Sequence, residues 1–316
     1  MLHLRMISPA DRTNELVGLL EKTVGTAHLV VMSGAARDPA GDVVTCDVAR
    51  EACDQLLRRL RELGLVHEGS VAVESIDLSL SDRADQAEVD APGEGVDAVL
   101  WESLADATHE ESRLSVTYLA FLTVATMLAA CGVVTDSAIL IVGAMVVGPE
   151  FGPLAGVCTG VVRRRPGLAV RSLLALTVGF VLAMLLTGGF GMLMDGLGIF
   201  SHEQFSKPHP ETAFIWNPDK TSLVVALLAG VAGILSLTSA KSGALVGVAI
   251  SVTTVPAAAF AALALSYAEY SEMWGAVLQL AVNVVGILFA GTLTLLGQKA
   301  FWAWRRGRGP DRRMAL

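Results

Sequence analysis

The chain has 316 residues, more than one domain's worth on length alone. Hydrophobic residues make up 53% and mean hydropathy is +0.57, too apolar for an ordinary soluble protein. Net charge is −8, and residues 1–95, with seventeen acidic and nine basic side chains, also sum to −8; an acidic head argues against a nucleic-acid partner.

From the N-terminus, "LHLRMIS" alternates as a short strand. The N-terminal "MLHLRMISPADRTNEL" holds no long apolar stretch, so no signal peptide is expected. "DRTNELVGLLEKTVG" is amphipathic, with Leu16, Leu19 and Leu20 on one face and Asp11 available as a cap. "AHLVVMSG" and "DVVTCDV" read as strands on either side of the turn-rich "ARDPAGD". "REACDQLLRRLRELGL" is a second amphipathic helix stopping near Gly64, and "GSVAVESIDLSLS" closes with a strand. Residues 1–80 therefore predict a βαββαβ, ferredoxin-like α+β domain. Residues 81–113 follow as a linker region. "SDRADQAEVDAPGEG" is expected to be solvated. In "VDAVLWESLADAT", Val96, Leu100, Leu104 and Ala107 form one stripe beside Trp101. That helix packs on the soluble domain or lies at a membrane surface.

From residue 114 to about 300 the apolar runs are long enough to cross a bilayer, which takes roughly 20 residues each. Six spans are expected, near 114–134, 137–162, 167–189, 222–240, 242–266 and 273–297. All five tryptophans, Trp101, Trp216, Trp274, Trp302 and Trp304, fall at or beside ends of these runs, as in an aromatic belt. Arg163, Arg164, Arg165 and Arg171 follow span two, Lys241 follows span four, and residues 301–316 form a basic tail. Placing the basic side in the cytoplasm puts both termini and the ferredoxin-like domain there, at the inner (plasma) membrane. The cysteines Cys46, Cys53, Cys131 and Cys158 have no metal-type spacing.

Two stretches look like copies in opposite orientation. "DSAILIVGAMVVGPEFGPLAG" from Asp136 and "KSGALVGVAISVTTVPAAAFA" from Lys241 each start with a charge and a serine and reach a mid-span proline. They are the second spans of two three-span units. An odd number of spans inverts the second unit, a recurring plan for secondary transporters. Pro149 and Pro153, with Gly148 and Gly152, should break span two; Pro256, after Thr253 and Thr254, should break span five. Freed backbone groups cannot face lipid, so the breaks are expected to face inward, towards each other. Glu150 sits in the first break, where a carboxylate costs on the order of 3 kcal/mol on insertion scales. Gln279 and Asn283 are polar and intramembrane, and suit interhelical hydrogen bonding. Asp136 with Ser137, and Lys241 with Ser242, are helix-start residues or gates. His202 and His209 lie in a loop read as solvated, with no metal site expected.

Residues Ser115–Gly156 resemble a family of uncharacterised prokaryotic membrane proteins, the domain of unknown function three-eight-nine. The carrying residues are Ser115 with Tyr118, Gly132 to Ser137, and Gly143, Ala144, Met145, Pro149, Gly152 and Pro153. The resemblance implies a membrane protein with a cytoplasmic domain and supplies no substrate. Glu150 departs from the apolar residue usual after the first proline.

The favoured function is a transporter or channel for a small solute or ion. Its site would lie between the broken helices at Gly148, Pro149, Glu150, Gly152, Pro153, Thr253, Thr254, Pro256 and Asn283, with proton or cation coupling through Glu150. The expected partners are the lipid bilayer, the solute and further copies in a homo-oligomer. The alternative is a membrane-anchored small-molecule sensor or scaffold, though an anchor has no need of paired breaks. No nucleophile–base pair and no phosphate loop is present, so no enzyme, no cofactor and no direct ATP use are expected.

Overall fold

The computed structural model describes residues 1–76, 78–91, 101–207, 220–239 and 253–307. The chain divides into two compact units, Met1–Glu102 and nearly all of Ser103–Gly307, each with its own apolar core.

The first unit runs β1 (Leu2–Ser8), α1 (Thr13–Glu21), β2 (Thr26–Arg37), β3 (Ala40–Val48), α2 (Arg50–Glu62), a one-turn α3 (Leu65–Glu68) and β4 (Ser70–Ser75). The sheet order is β2-β3-β1-β4 and every neighbouring pair is antiparallel, which is the arrangement of two split βαβ units. Leu4 pairs with Cys46 and Val73, so period two puts Leu2, Leu4 and Met6 on one face with Val44, Cys46 and Val48. Leu16 and Leu20 of α1, and Cys53, Leu56 and Leu60 of α2, cover that face. Their spacing of three to four residues is what gathers them onto one side of each helix.

Two local expectations need correction here. The β2–β3 connection is tighter than "ARDPAGD" suggests, because Ala36 pairs with Gly41 and Arg37 with Ala40, leaving Asp38 and Pro39 as the turn. The linker expected to be solvated also holds a helix, α4 (Asp82–Asp90). Ser81 caps it by accepting from the Ala84 N–H at 3.4 Å, and Ala84 and Ala87 bury a narrow stripe that the surrounding charges hide in the sequence. His28 ties this cap to the sheet: its Nε2 lies 2.8 Å from Ser81 Oγ and its Nδ1 2.7 Å from Asp47. His3 Nδ1 takes the other Asp47 oxygen at 2.7 Å.

The second unit holds α5 (Trp101–Glu111), α6 (Val116–Val134), α7 (Ala138–Val147), α8 (Phe151–Val162), α9 (Pro166–Gly196), α10 (His202–Phe205), α11 (Lys220–Thr238), α12 (Thr254–Ser266) and α13 (Tyr270–Gly307). Among the described residues, α6, α9, α11 and α13 are long and apolar enough to cross a membrane. The pair α7 and α8, bent by 50°, makes a fifth if taken as one span. The six-span expectation is therefore met only in part. α12 has 13 residues, short of the roughly 20 a span needs, and residues 240–252, where the fifth expected span starts, lie outside the described ones. Spans three and six are longer than expected, reaching Gly196 and Gly307.

α12 is the centre of this unit. It packs on α6, α7, α9 and α13, and every residue from Thr254 to Ala264 is buried. A helix apolar on all sides belongs in an interior, and alanines let its neighbours approach closely. α5 belongs to this helical unit by its contacts. Among its described side chains Leu104, Ala105 and Thr108 are buried, continued by Ser112; Leu104 belongs to the expected stripe, whose other members Val96, Leu100 and Ala107 have no described side chains. Ser172 of α9 donates to Ser112 at 2.8 Å. Trp274 and Trp302 stand 28 residues apart on α13, about 42 Å along a helix, close to a bilayer with its headgroups. Trp216 lies outside the described residues.

Candidate functional site

The break in span two follows from its two prolines. Pro149 has no N–H to continue α7, which ends with Gly148 donating to the Ala144 carbonyl at 3.1 Å. Pro153 then falls in the first turn of α8, where a missing N–H costs nothing. Glu150 is the N-cap residue of α8 and is only 4% exposed.

The start of α12 repeats this plan. Thr253 is its N-cap residue and Pro256 falls in its first turn, as Pro153 does in α8. Cap to cap and proline to proline, the equivalent positions are 103 residues apart, two fewer than the offset aligning Ser137 with Ser242.

The two starts meet. Thr254 Oγ1 donates to Glu150 Oε1 at 2.8 Å. Beside it, Asn283 Nδ2 of α13 donates to Thr253 Oγ1 at 2.9 Å, and Gln279 Nε2 donates to Asn283 Oδ1 at 3.4 Å. Glu150, Thr254, Gln279 and Asn283 are all buried. Each side-chain nitrogen in this chain of contacts donates one N–H to a protein oxygen, and two acceptor oxygens receive none. Glu150 Oε2 and Gln279 Oε1 have no hydrogen-bond partner among the described residues. Glu150 Oε2 rests against Gly148, where any Cβ would strike it. The helix N-termini of α8 and α12 both begin here, each carrying roughly half a positive charge, and this makes a buried carboxylate tolerable.

A cavity of about 400 Å³ lies between the α5–α6 junction and the break, lined by Glu111, Arg113, Tyr118, Gly148, Pro149 and Gly152 among others. Glu111 folds over Gly152, so that a Cβ there would lie 2.5 Å from Glu111 Oε2. Glu111 is exposed overall, but partial desolvation of its carboxyl pushes it above its ordinary range, and the neighbouring charge of Glu110 adds to the shift. Glu111 was not singled out from the sequence; its only mark there is a short acidic run ahead of the first span. Ser115 caps α6 by accepting from the Tyr118 N–H at 3.0 Å, and the Tyr118 hydroxyl reaches the Ala175 carbonyl at 3.4 Å.

The gate candidates sit elsewhere. Asp136, with φ 47°, forms the α6–α7 turn, and Ser137 caps α7 by accepting from the Leu140 N–H at 3.4 Å. Both are about 15 Å from the break along α7. Lys241 and Ser242 lie outside the described residues, as does His209. His202 lies 3.2 Å from Glu269.

Comparison with known proteins covers the same region. Residues 145–289 match the family described as "Domain of unknown function (DUF389)". An uncharacterised protein of Methanocaldococcus jannaschii is 24% identical over 186 residues, 59% of this chain and 55% of that protein. The chain thus aligns with about half the length of this relative. No solved structure matches. The matched segment contains the break, Glu150, Thr253, Thr254, Pro256, Gln279 and Asn283. Over residues 145–289, then, this chain matches the domain of unknown function DUF389, the family its sequence resembles.

Proposed function

We propose that the chain is a multi-pass membrane transporter or channel for a small solute or ion. Its site is the junction where the α7–α8 break meets the start of α12. The observation that carries this reading is the Thr254–Glu150 hydrogen bond, between residues 104 apart, which joins two helix starts inside an apolar bundle. A helix that only anchors has no use for a proline break, and a buried carboxylate in an apolar span marks a pathway by default. The matching caps and prolines of α8 and α12 support two inverted three-span units, α6 to α9 and α11 to α13. In this reading the basic connections face the cytoplasm of the plasma membrane, together with both termini and the ferredoxin-like unit. That unit would modulate a homo-oligomer packed through small-residue faces.

The test is uptake into vesicles by the purified full chain, screened over inorganic ions and small solutes, beside Glu150→Gln. Wild type should accumulate at least one solute, and the variant should lose about tenfold or more of that rate. Uptake unchanged by Glu150→Gln would remove the site from the pathway, and a wild type that moves no solute would end the reading.

A further inference from the structure

We propose that the cavity between the α5–α6 junction and the α7–α8 break is the entry vestibule for a monovalent inorganic cation, with Glu111 as its outer carboxylate and Glu150 as its inner one. This deepens the transport reading above and rests on it.

Three observations point to that ligand class. The first is the set of atoms left over. Around the junction the Thr254 hydroxyl and one N–H each of Asn283 and Gln279 donate to a protein oxygen. The side-chain atoms there with no partner at all among the described residues are both oxygens, Glu150 Oε2 and Gln279 Oε1. Buried polar atoms in native proteins are satisfied, so these two ask for a donor or a positive ion.

The second is charge. Glu110, Glu111 and Arg113 line the cavity, and Glu150 lies just behind Gly148 and Pro149 in its wall. Three acids against one base leave the path negative, and a negative cleft in a low-dielectric wall concentrates cations. The α8 and α12 N-termini would favour an anion. Glu111, over Gly152, and Glu150, at both helix starts, already occupy those positions.

The third is backbone. Pro149 brings no N–H, so the Met145 carbonyl lacks its usual fourth-residue donor. The last turn of α7 thus presents the negative end of a helix, and Val146 and Gly148 of that turn line the cavity. Oxygen ligands without sulfur or imidazole suit a hard cation. One inner carboxylate with neutral oxygens suits a single charge better than a divalent ion, which gathers several carboxylates. The cavity holds roughly a dozen waters' volume, enough for an ion still partly hydrated.

The experiment uses the full chain in detergent and in vesicles. Thermal stability is titrated with sodium, potassium or choline chloride at fixed ionic strength, for wild type, Glu111→Gln, Glu150→Gln and Glu150→Asp. Uptake of the same alkali ions is measured in vesicles for wild type and for Thr117→Trp, which fills the cavity mouth from an exposed position on α6. The expected result is saturable stabilisation of wild type by sodium or potassium over choline. Glu150→Gln should abolish it and Glu150→Asp should keep it, which separates loss of charge from loss of fold. Glu111→Gln should need about tenfold more cation, and Thr117→Trp should slow uptake by about as much. Equal half-saturation in Glu111→Gln with unchanged uptake in Thr117→Trp would overturn the vestibule. No alkali cation stabilising wild type would overturn the ligand class, while a Glu150-dependent uptake of some other solute would leave the transport reading standing. Cation stabilisation as expected but no uptake by wild type would keep the cation site and overturn transport.

Discussion

The two units solve the same packing problem with different residues. The sheet unit is filled by large side chains: Leu4, Met6, Leu16, Leu20, Leu56 and Leu60 are all at most 1% exposed. The helical unit buries many more small ones beside Phe260, Leu122, Ile141 and Leu154, with Ala257, Ala258, Ala259, Ala261, Ala262 and Ala264 of α12 buried among Ala125, Ala129, Ala130 and Ala144. It also buries hydroxyls, amides and one carboxylate, at Thr126, Thr187, Thr254, Gln279, Asn283 and Glu150. In water, taking large apolar surface out of solvent is the main drive, so big side chains serve best. In lipid that drive is absent between helices. Close backbone approach and interhelical hydrogen bonds take over, and both need small or polar residues.

The comparison can be broken most forcefully in the sheet unit. Leu56→Ala should destabilise it by about 3 kcal/mol, through lost burial plus a cavity. Amide exchange of β1 and β3 in the full chain would show it, and a loss below about 1 kcal/mol would mean that this core is not packed by its leucines. The reciprocal change is Ala258→Leu, which overfills α12 at a residue with no exposure. About 2 kcal/mol should be lost on denaturant unfolding in detergent. Should it stabilise instead, size would be the wrong variable in the helical core. A weaker test is the Thr126–Thr187 contact between α6 and α9, at 2.8 Å. A double-mutant cycle to valine should give a coupling of about 0.6 kcal/mol, and a value near zero would take hydroxyl pairing out of the comparison.

The smallest effect is one of pH, and it belongs to the sheet unit. Burial raises the Asp47 carboxyl, but the hydrogen bonds and charges of His28 and His3 outweigh it and hold the group below its ordinary range. A depressed carboxyl stabilises the fold fully above its unfolded pKa of about 3.9 and loses that contribution as pH falls through the folded value. Amide exchange of β1, β2 and β3 in the full chain should therefore quicken below about pH 4 in wild type and change less in Asp47→Asn. Identical acid profiles would show that the two histidines do not act on this carboxylate.

Sequence was most informative where periodicity or covalent geometry decides the outcome. The βαββαβ order followed from alternation and amphipathic spacing, and the break at Gly148–Glu150 followed from a proline that cannot donate. The meeting of Glu150 with Thr254 was legible only as an inference about polar groups in lipid, because no local pattern encodes a contact 104 residues away. α4 was hidden since two alanines among acids carry almost no hydrophobic signal. Glu111 was hidden for another reason: its partner surface is the bare backbone of Gly152, which leaves no trace in side-chain chemistry. The expected break before Pro256 coincides with the start of α12, while residues 242–252 of the fifth expected span lie outside the described residues.

α13 has a mechanical consequence. Its tryptophans at 274 and 302 sit about 42 Å apart and fix two levels that should coincide with the two faces of the lipid. Between them, Asn283 grips Thr253, the residue next to the one that grips Glu150. In a thinner bilayer a helix of fixed length has to lean, and leaning would drag Asn283 sideways. Were α13 to cross a bilayer in this way, membrane thickness would bear on the position of a single buried carboxylate, with α13 as the lever.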